Sequence, residues 1–163
     1  MKKVLLAFAI IFCGLANAQV KFGINGGFSS ATVSDDFEDL SAGYYAGVFT
    51  EFGIRGFATM QPALNYVRFN DDSFVQIPVM AKFYFLPKIN VQVGPQFAFR
   101  LGDVPDTINK TNFGVAFGLG ADIISGLLIE ARYSFQLNNA FKSPASGQKL
   151  HFNLFNVGLG LRL

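Results

Sequence analysis

The stretch Asn112–Asn138, NFGVAFGLGADIISGLLIEARYSFQLN, decides the fold. On both sides of Ser125–Gly126 the odd-numbered residues are apolar, whereas the even-numbered positions are mostly glycine or polar. A period of two is the spacing of a β-strand whose two faces meet different surroundings. The stretch therefore predicts a hairpin of two strands that turns at Ser125–Gly126.

A transmembrane helix is the alternative interpretation of the same stretch. Residues 113–129 are apolar apart from Asp122 and Ser125, and Gly114 and Gly118 form a GxxxG pattern. A spanning helix needs about 20 predominantly apolar residues. This run is shorter and holds Asp122 near its middle, and all but one of its glycines fall on a single face of a strand. The hairpin is therefore favoured over the helix.

The first 18 residues have the pattern of a secretory signal peptide. Lys2 and Lys3 form a basic region, Val4–Cys13 is an apolar core too short to span a bilayer, and Ala16–Ala18 is a small-x-small cleavage site. We therefore expect residues 1–18 to be removed and residues 19–163 to form one mature domain. Cys13 falls within the apolar core, so the mature domain has no cysteine and no disulfide.

Cleavage changes the charge of the chain. Without Lys2 and Lys3, eleven basic residues remain against eleven acidic ones, so the mature domain is neutral. A neutral chain without a basic patch does not predict nucleic-acid binding.

The two-residue alternation recurs along the whole mature chain and predicts eight strands, near the length of about 9–11 residues that a tilted membrane strand needs. The hairpin supplies the sixth and seventh; the other six are Val20–Phe28, Ala42–Gly53, Phe57–Phe69, Phe74–Phe85, Ile89–Leu101 and His151–Leu163. Loops alternate with short turns between them, as in outer-membrane barrels. The sequence thus predicts an all-β, eight-stranded antiparallel up-and-down transmembrane β-barrel in the outer membrane of a Gram-negative bacterium, with both mature termini periplasmic.

The polar face of the predicted strands carries the charges, and a membrane barrel turns that face inward. Eight strands enclose a space that side chains just fill, so these charges must neutralise one another and plug the interior. A soluble sandwich is disfavoured because no helix is predicted to cover its apolar outer face. The predicted interior network consists of Lys21, Glu51, Lys82, Arg100, Asp122, Glu130, Arg132 and Arg162.

Three prolines lie inside predicted strands, namely Pro62, Pro78 and Pro95. A closed barrel has no free edge that would tolerate a missing N–H, so we expect β-bulges at these positions.

Several short motifs resemble the outer-membrane β-barrel domain family that includes PorT-like proteins. They are Gln61–Tyr66 (QPALNY), Gln76–Val79 (QIPV) leading to Lys82–Phe85 (KFYF), Gly94–Gln96 (GPQ) and Glu130–Ser134 (EARYS). The resemblance spans nearly all of the mature chain. It implies the barrel fold and the membrane; an accessory role in secretion or envelope assembly is what the PorT-like relatives imply.

The sequence predicts no catalytic, cofactor-binding or metal site. The acidic run at residues 35–39 lacks the alternation and the glycine of an EF-hand loop. His151 could support an outer-membrane lipid-modifying hydrolase, but no nucleophile or carboxylate is predicted on the same face. Acidic residues concentrate in the predicted loops and form a predicted contact surface for an extracellular or envelope protein; they are Asp35, Asp36, Glu38, Asp39, Asp71 and Asp72.

These observations predict a monomeric, non-enzymatic barrel, in contact with outer-membrane lipid, with a surface-binding, adhesion or structural role. The secretion accessory and the lipid hydrolase are the alternatives.

Overall fold

The computed structural model describes residues 20–33, 41–55, 58–70, 72–102, 111–137 and 152–163. Eight strands lie within these ranges: β1 (Lys21–Val33), β2 (Ser41–Arg55), β3 (Ala58–Phe69), β4 (Asp72–Leu86), β5 (Ile89–Leu101), β6 (Thr111–Ile124), β7 (Leu127–Gln136) and β8 (Phe152–Arg162).

The sheet is closed. Every strand pairs antiparallel with its neighbour in sequence, and β8 pairs with β1, so the strand order around the barrel is β1 to β8. This confirms the predicted eight-stranded up-and-down barrel. Residues 113–129, the alternative membrane helix, lie in β6, β7 and the turn between them. In the described part of the chain, no helix has the length and apolar character needed to cross a membrane.

The alternation of odd- and even-numbered residues along each strand, which we call its parity, separates the two faces of the barrel wall as predicted. On β6, Leu119 is 59% exposed and Phe117 is 50% exposed, whereas Ala116 is fully buried. On β4, Phe83 faces outward and the neighbouring Lys82 is only 1% exposed. The barrel therefore has an apolar exterior and a largely polar interior, the inverse of a soluble barrel and the arrangement of a membrane barrel.

Strand β1 is longer than predicted, ending at Val33 rather than at Phe28. The polar residues after Phe28 predicted a loop, but Ser29 is fully buried inside the barrel, and its hydroxyl donates a 2.5 Å hydrogen bond to Asn156 Oδ1. Serine can continue an inward-facing row here because the interior is polar and offers it a partner. For the same reason β4 begins at Asp72, inside the predicted loop.

The prediction of bulges at the three prolines is wrong. Next to Pro62, β2 and β3 lose the pairs between Phe49↔Ala63 and Phe52↔Met60, yet the register is the same on both sides of the gap. Equivalent gaps interrupt the β3–β4 ladder at Pro78 and the β4–β5 ladder at Pro95. Each proline lacks one N–H, so a ladder opens on one side of it without an inserted residue.

The register shifts lie instead at one end of the barrel, next to the connections β2–β3, β4–β5 and β6–β7. We call this end the turn side and the opposite end the loop side. In the β6–β7 turn, Gly126 has φ +89°, a left-handed conformation that glycine adopts without a steric cost.

Candidate functional site: a buried charge network

The turn-side half of the interior contains six charged residues that contact one another in a continuous series. We call this set the charge network; its members are Glu51, Lys82, Asp122, Glu130, Arg132 and Arg162. At its centre, Lys82 Nζ lies 2.7 Å from Glu51 Oε1 and 2.6 Å from Glu130 Oε1. All three side chains are at least 95% buried.

Arg132 holds the second oxygen of Glu130. Its Nη2 donates to Glu130 Oε2 at 2.5 Å and to Gln61 Oε1 at 2.7 Å, and its Nε donates to Gln92 Oε1 at 2.9 Å. The amide of Gln92 in turn donates to Glu130 Oε1 at 3.0 Å. Because both glutamines bridge to the ion pair, this part of the network fixes side chains of three strands, β3, β5 and β7.

Arg162 forms the other end of the network. Its Nε donates to Glu51 Oε2 at 2.5 Å, and its Nη2 donates to Asp122 Oδ1 at 2.9 Å. Tyr84 closes this end, since its hydroxyl accepts from Arg162 Nη2 at 3.3 Å and contacts Asp122 Oδ2 at 3.5 Å.

The charges alternate along the series Asp122, Arg162, Glu51, Lys82, Glu130, Arg132. Three acids and three bases give a net charge of zero. An isolated charge in a low-dielectric interior is strongly unfavourable, so burial at this depth requires such pairing. The arrangement holds strands together and leaves none of the six charged groups without an opposite charge.

Glycines on the inner face make room for the long side chains opposite. A Cβ added at Gly118 would lie 2.9 Å from Arg132 Cγ, and one added at Gly120 would lie 2.5 Å from Gln92 Nε2. Gly118 and Arg132 are also partners in the β6–β7 ladder. The glycine-rich strand β6 is therefore the complement of the charged strand β7.

Two members of the predicted network lie elsewhere. Lys21, the first residue of β1, is exposed at the turn-side mouth. Arg100 lies near the loop side, where its guanidinium forms a partly exposed ion pair with Asp72 and lies over the ring of Phe74 with 5.6 Å to the centroid. Both have the inward parity, but each stands near a strand end, where the barrel opens.

The structure also places apolar residues inside, which the prediction of a polar interior did not single out. Phe49, Ala63 and Leu128 form one buried cluster, and Tyr45, Val67 and Phe69 form another. All six have the inward parity of their strands, shared with Glu51 on β2, Gln61 on β3 and Glu130 on β7, and parity is the signal that could have identified them. The interior thus contains buried apolar clusters as well as the charged groups.

A second polar layer lies closer to the loop side. Asn156 accepts from Ser29 and donates to Gln76 Oε1 at 3.2 Å, and Gln96 donates to Ser134 Oγ at 3.2 Å. These amides and hydroxyls link β1, β4, β5, β7 and β8.

Several predicted residues lie outside the described ranges. They are the signal peptide, His151, and the loop acids Asp35, Asp36, Glu38, Asp39 and Asp71. Asp72, grouped with these acids by sequence, belongs to β4 and is held by Arg100. Within the described ranges, no group of histidine, cysteine or carboxylate side chains could hold a metal ion.

Several solved structures share this fold, and one of them is a designed transmembrane β-barrel. Neisserial surface protein A aligns with 87% of this chain and 97% of its own, at 12% identity and a TM-score of 0.57. The alignment with the attachment invasion locus protein of Yersinia pestis covers 88% of this chain and 98% of that protein, at 14% identity and a TM-score of 0.51. The alignment with a de novo designed transmembrane β-barrel covers 88% of this chain and 95% of the design, at 8% identity and a TM-score of 0.55.

No curated protein matches the chain. The family of the outer membrane protein β-barrel domain matches residues 4–162, nearly the whole sequence. A polar interior, an apolar exterior and an even number of closed antiparallel strands are features of outer-membrane barrels. The chain therefore belongs to the outer membrane protein β-barrel domain family.

Proposed function

We propose that this chain is a non-enzymatic outer-membrane barrel with a sealed interior, which acts through its loop side in surface binding, adhesion or a structural role. The observation that carries the proposal is that every charged group of the charge network is paired with an opposite charge. Lys82 lies between Glu51 and Glu130, and each of these carboxylates also meets an arginine. A general base needs a carboxylate free to take up a proton, and these are fully engaged.

Connection lengths support an orientation with the termini in the periplasm. Three of the four loop-side connections are long, namely residues 34–40, 102–110 and 137–151, and the fourth, 70–71, has two residues. The turn side has only 56–57, 87–88 and 125–126, together with both strand ends nearest the termini. Outer-membrane barrels carry longer extracellular loops and short periplasmic turns. The loop side is therefore the proposed outer surface.

The acidic residues of the first long connection are the proposed contact surface. Asp35, Asp36, Glu38 and Asp39 concentrate negative charge in a mature chain that is neutral as a whole. Two barrels of the same fold are named as a surface protein and an attachment invasion locus protein. Those names describe those proteins, but they support the idea that an eight-stranded barrel can serve as a platform for surface contacts.

Crosslinking and affinity capture from intact cells test this proposal. A variant with Asp35→Asn, Asp36→Asn, Glu38→Gln and Asp39→Asn should capture less of an extracellular macromolecule than the unmodified chain. Asp72→Asn is the matched control, because Arg100 already holds that carboxylate. Capture of periplasmic secretion components instead would favour the accessory role that the PorT-like resemblance implies.

Planar-bilayer recording tests the sealed interior independently. Because ionic and apolar groups fill the space between the strands, pure protein should show no stable unitary currents. Stable channels would contradict the proposal.

A further inference from the structure

The apolar wall of the barrel contains a groove of about 490 Å³ across β1, β2 and β3. Its sides are outward-facing residues of these strands and of the chain end: Phe22, Ile24, Val48, Leu64 and Leu163. Its lining also includes Gly23, Phe49 and Ala63, which have the inward parity. The groove therefore reaches into the thickness of the wall.

The ladder gap beside Pro62 explains this depth. Thr50 and Pro62 both line the groove, and they lie where β2 and β3 lack pairing. Behind the gap, the Phe49 ring lies so close to Gly23 that a Cβ there would come within 2.2 Å of it. Phe49 is 2% exposed and belongs to the apolar cluster with Ala63 and Leu128. The wall beneath the groove is thus backed by a buried aromatic ring.

The groove adjoins a cationic depression at the turn-side mouth. Leu163 lines both, and its N–H donates to Phe22 O at 2.8 Å, which ties the chain end to the rim of the groove. The depression contains three cations, Lys21, Lys88 and Arg162, and one acid, Asp122. Arg162 is engaged by Glu51 and Asp122, whereas Lys21 is exposed and forms no ion pair with a described residue.

We propose that this groove binds one acyl chain of an anionic glycerophospholipid from the turn-side leaflet, with the lipid phosphate at Lys21. The proposal rests on insertion in a membrane and is independent of the proposed surface function. Between apolar surfaces in a bilayer, packing contacts decide association, and a groove surrounds an alkyl chain on more sides than a convex wall does. Lys21 adds an electrostatic preference for a negative headgroup.

The absence of tryptophan from the chain provides a clean assay. Phe22→Trp places a single fluorophore at the rim of the groove, and Val91→Trp is the matched control. Val91 is 42% exposed and lies near the turn side of β5, away from the groove. Each variant is folded into phosphatidylcholine vesicles containing a minor fraction of either phosphatidylglycerol or phosphatidylcholine with brominated acyl chains, and quenching is compared.

For Phe22→Trp, quenching should indicate a local enrichment of phosphatidylglycerol over phosphatidylcholine of about fivefold, the effect of one lysine at a membrane surface. For Val91→Trp the ratio should be near one. Adding Lys21→Gln to Phe22→Trp should abolish the preference. Adding Val48→Phe, which fills the groove, should reduce quenching by both lipids. Equal ratios for the two reporter variants, or a preference that persists in Lys21→Gln, would overturn the proposal.

Discussion

Replacing Lys82 by methionine removes the central cation of the charge network while keeping a long apolar stem in place. Lys82 is 1% exposed, with carboxylate oxygens at 2.7 Å and 2.6 Å. Removing one partner of a buried ion pair costs about 3–5 kcal/mol, because the other partner stays buried without it. Glu51 keeps Arg162 and Glu130 keeps Arg132, so we expect Lys82→Met to lower the free energy of unfolding by about 3 kcal/mol, the low end of that range.

Urea unfolding in lipid vesicles measures this change. The folded fraction is measured on a gel from the intensity of the band that migrates differently in unboiled samples. The midpoint and slope of the unfolding transition then give the free energy of unfolding. Arg68→Met is the matched control: Arg68 carries the same charge but is exposed, and within the described ranges its side chain donates to Asn70 O at 3.3 Å. Its loss should therefore cost at most about 0.5 kcal/mol. If Lys82→Met is as mild as Arg68→Met, the contacts of Lys82 do not stabilise the barrel.

A double-mutant cycle with Glu130→Gln separates the pair from its surroundings. In the Glu130→Gln background, Lys82→Met removes the lysine partner of one carboxylate, Glu51, instead of two. The two substitutions together should therefore cost less than the sum of their separate effects, by about 0.5–3 kcal/mol. Strict additivity would mean that the 2.6 Å contact between Lys82 and Glu130 carries no energetic coupling.

The same unfolding measurement tests three further predictions. Leu119→Arg should cost about 2–4 kcal/mol, because it places a charge on the lipid-facing wall, and Leu119→Met should be nearly neutral. Gly118→Val should cost at least about 1–3 kcal/mol, since a Cβ there would lie 2.6 Å from Ala131 O; an unchanged midpoint would refute the close approach of β6 and β7. Ser29→Ala should cost about 1 kcal/mol through the lost hydrogen bond to Asn156, and a value near zero would indicate that this bond contributes nothing net.

Parity was the most informative signal in the sequence. A period of two places Lys82, Glu130 and Arg132 on one face, and the structure finds all three inside the barrel. Parity does not say which charges meet across the lumen, because Glu51 and Arg162 lie 111 residues apart and approach only when the sheet closes. The partners of each charge therefore depend on the tilt and closure of the barrel, which no local pattern encodes.

Strand ends were less predictable, for a physical reason. Turn prediction relies on polar residues being outside, and a polar interior removes that contrast. Because Ser29 and Asp72 are polar, the sequence predicts loops at both positions. Ser29 is nevertheless buried in β1, and Asp72, which belongs to β4, pairs with Arg100 of β5. Lys21 shows the converse error: its parity is correct, yet it stands at the first residue of β1, where the wall ends and water begins.

We expect the charge network to specify register as well as to contribute to stability. A buried ion pair often gives little net stabilisation over a well-packed apolar replacement, so its presence needs another explanation. A one-residue slip of β7 would exchange the faces of that strand, moving Glu130 and Arg132 into lipid and Ala131 and Tyr133 into the lumen. Arg132 alone would then cost about 2–4 kcal/mol near the bilayer midplane. Because β6 offers glycine opposite this arginine, the observed register accommodates both strands, and the buried charges penalise every slip that exchanges the faces of β7.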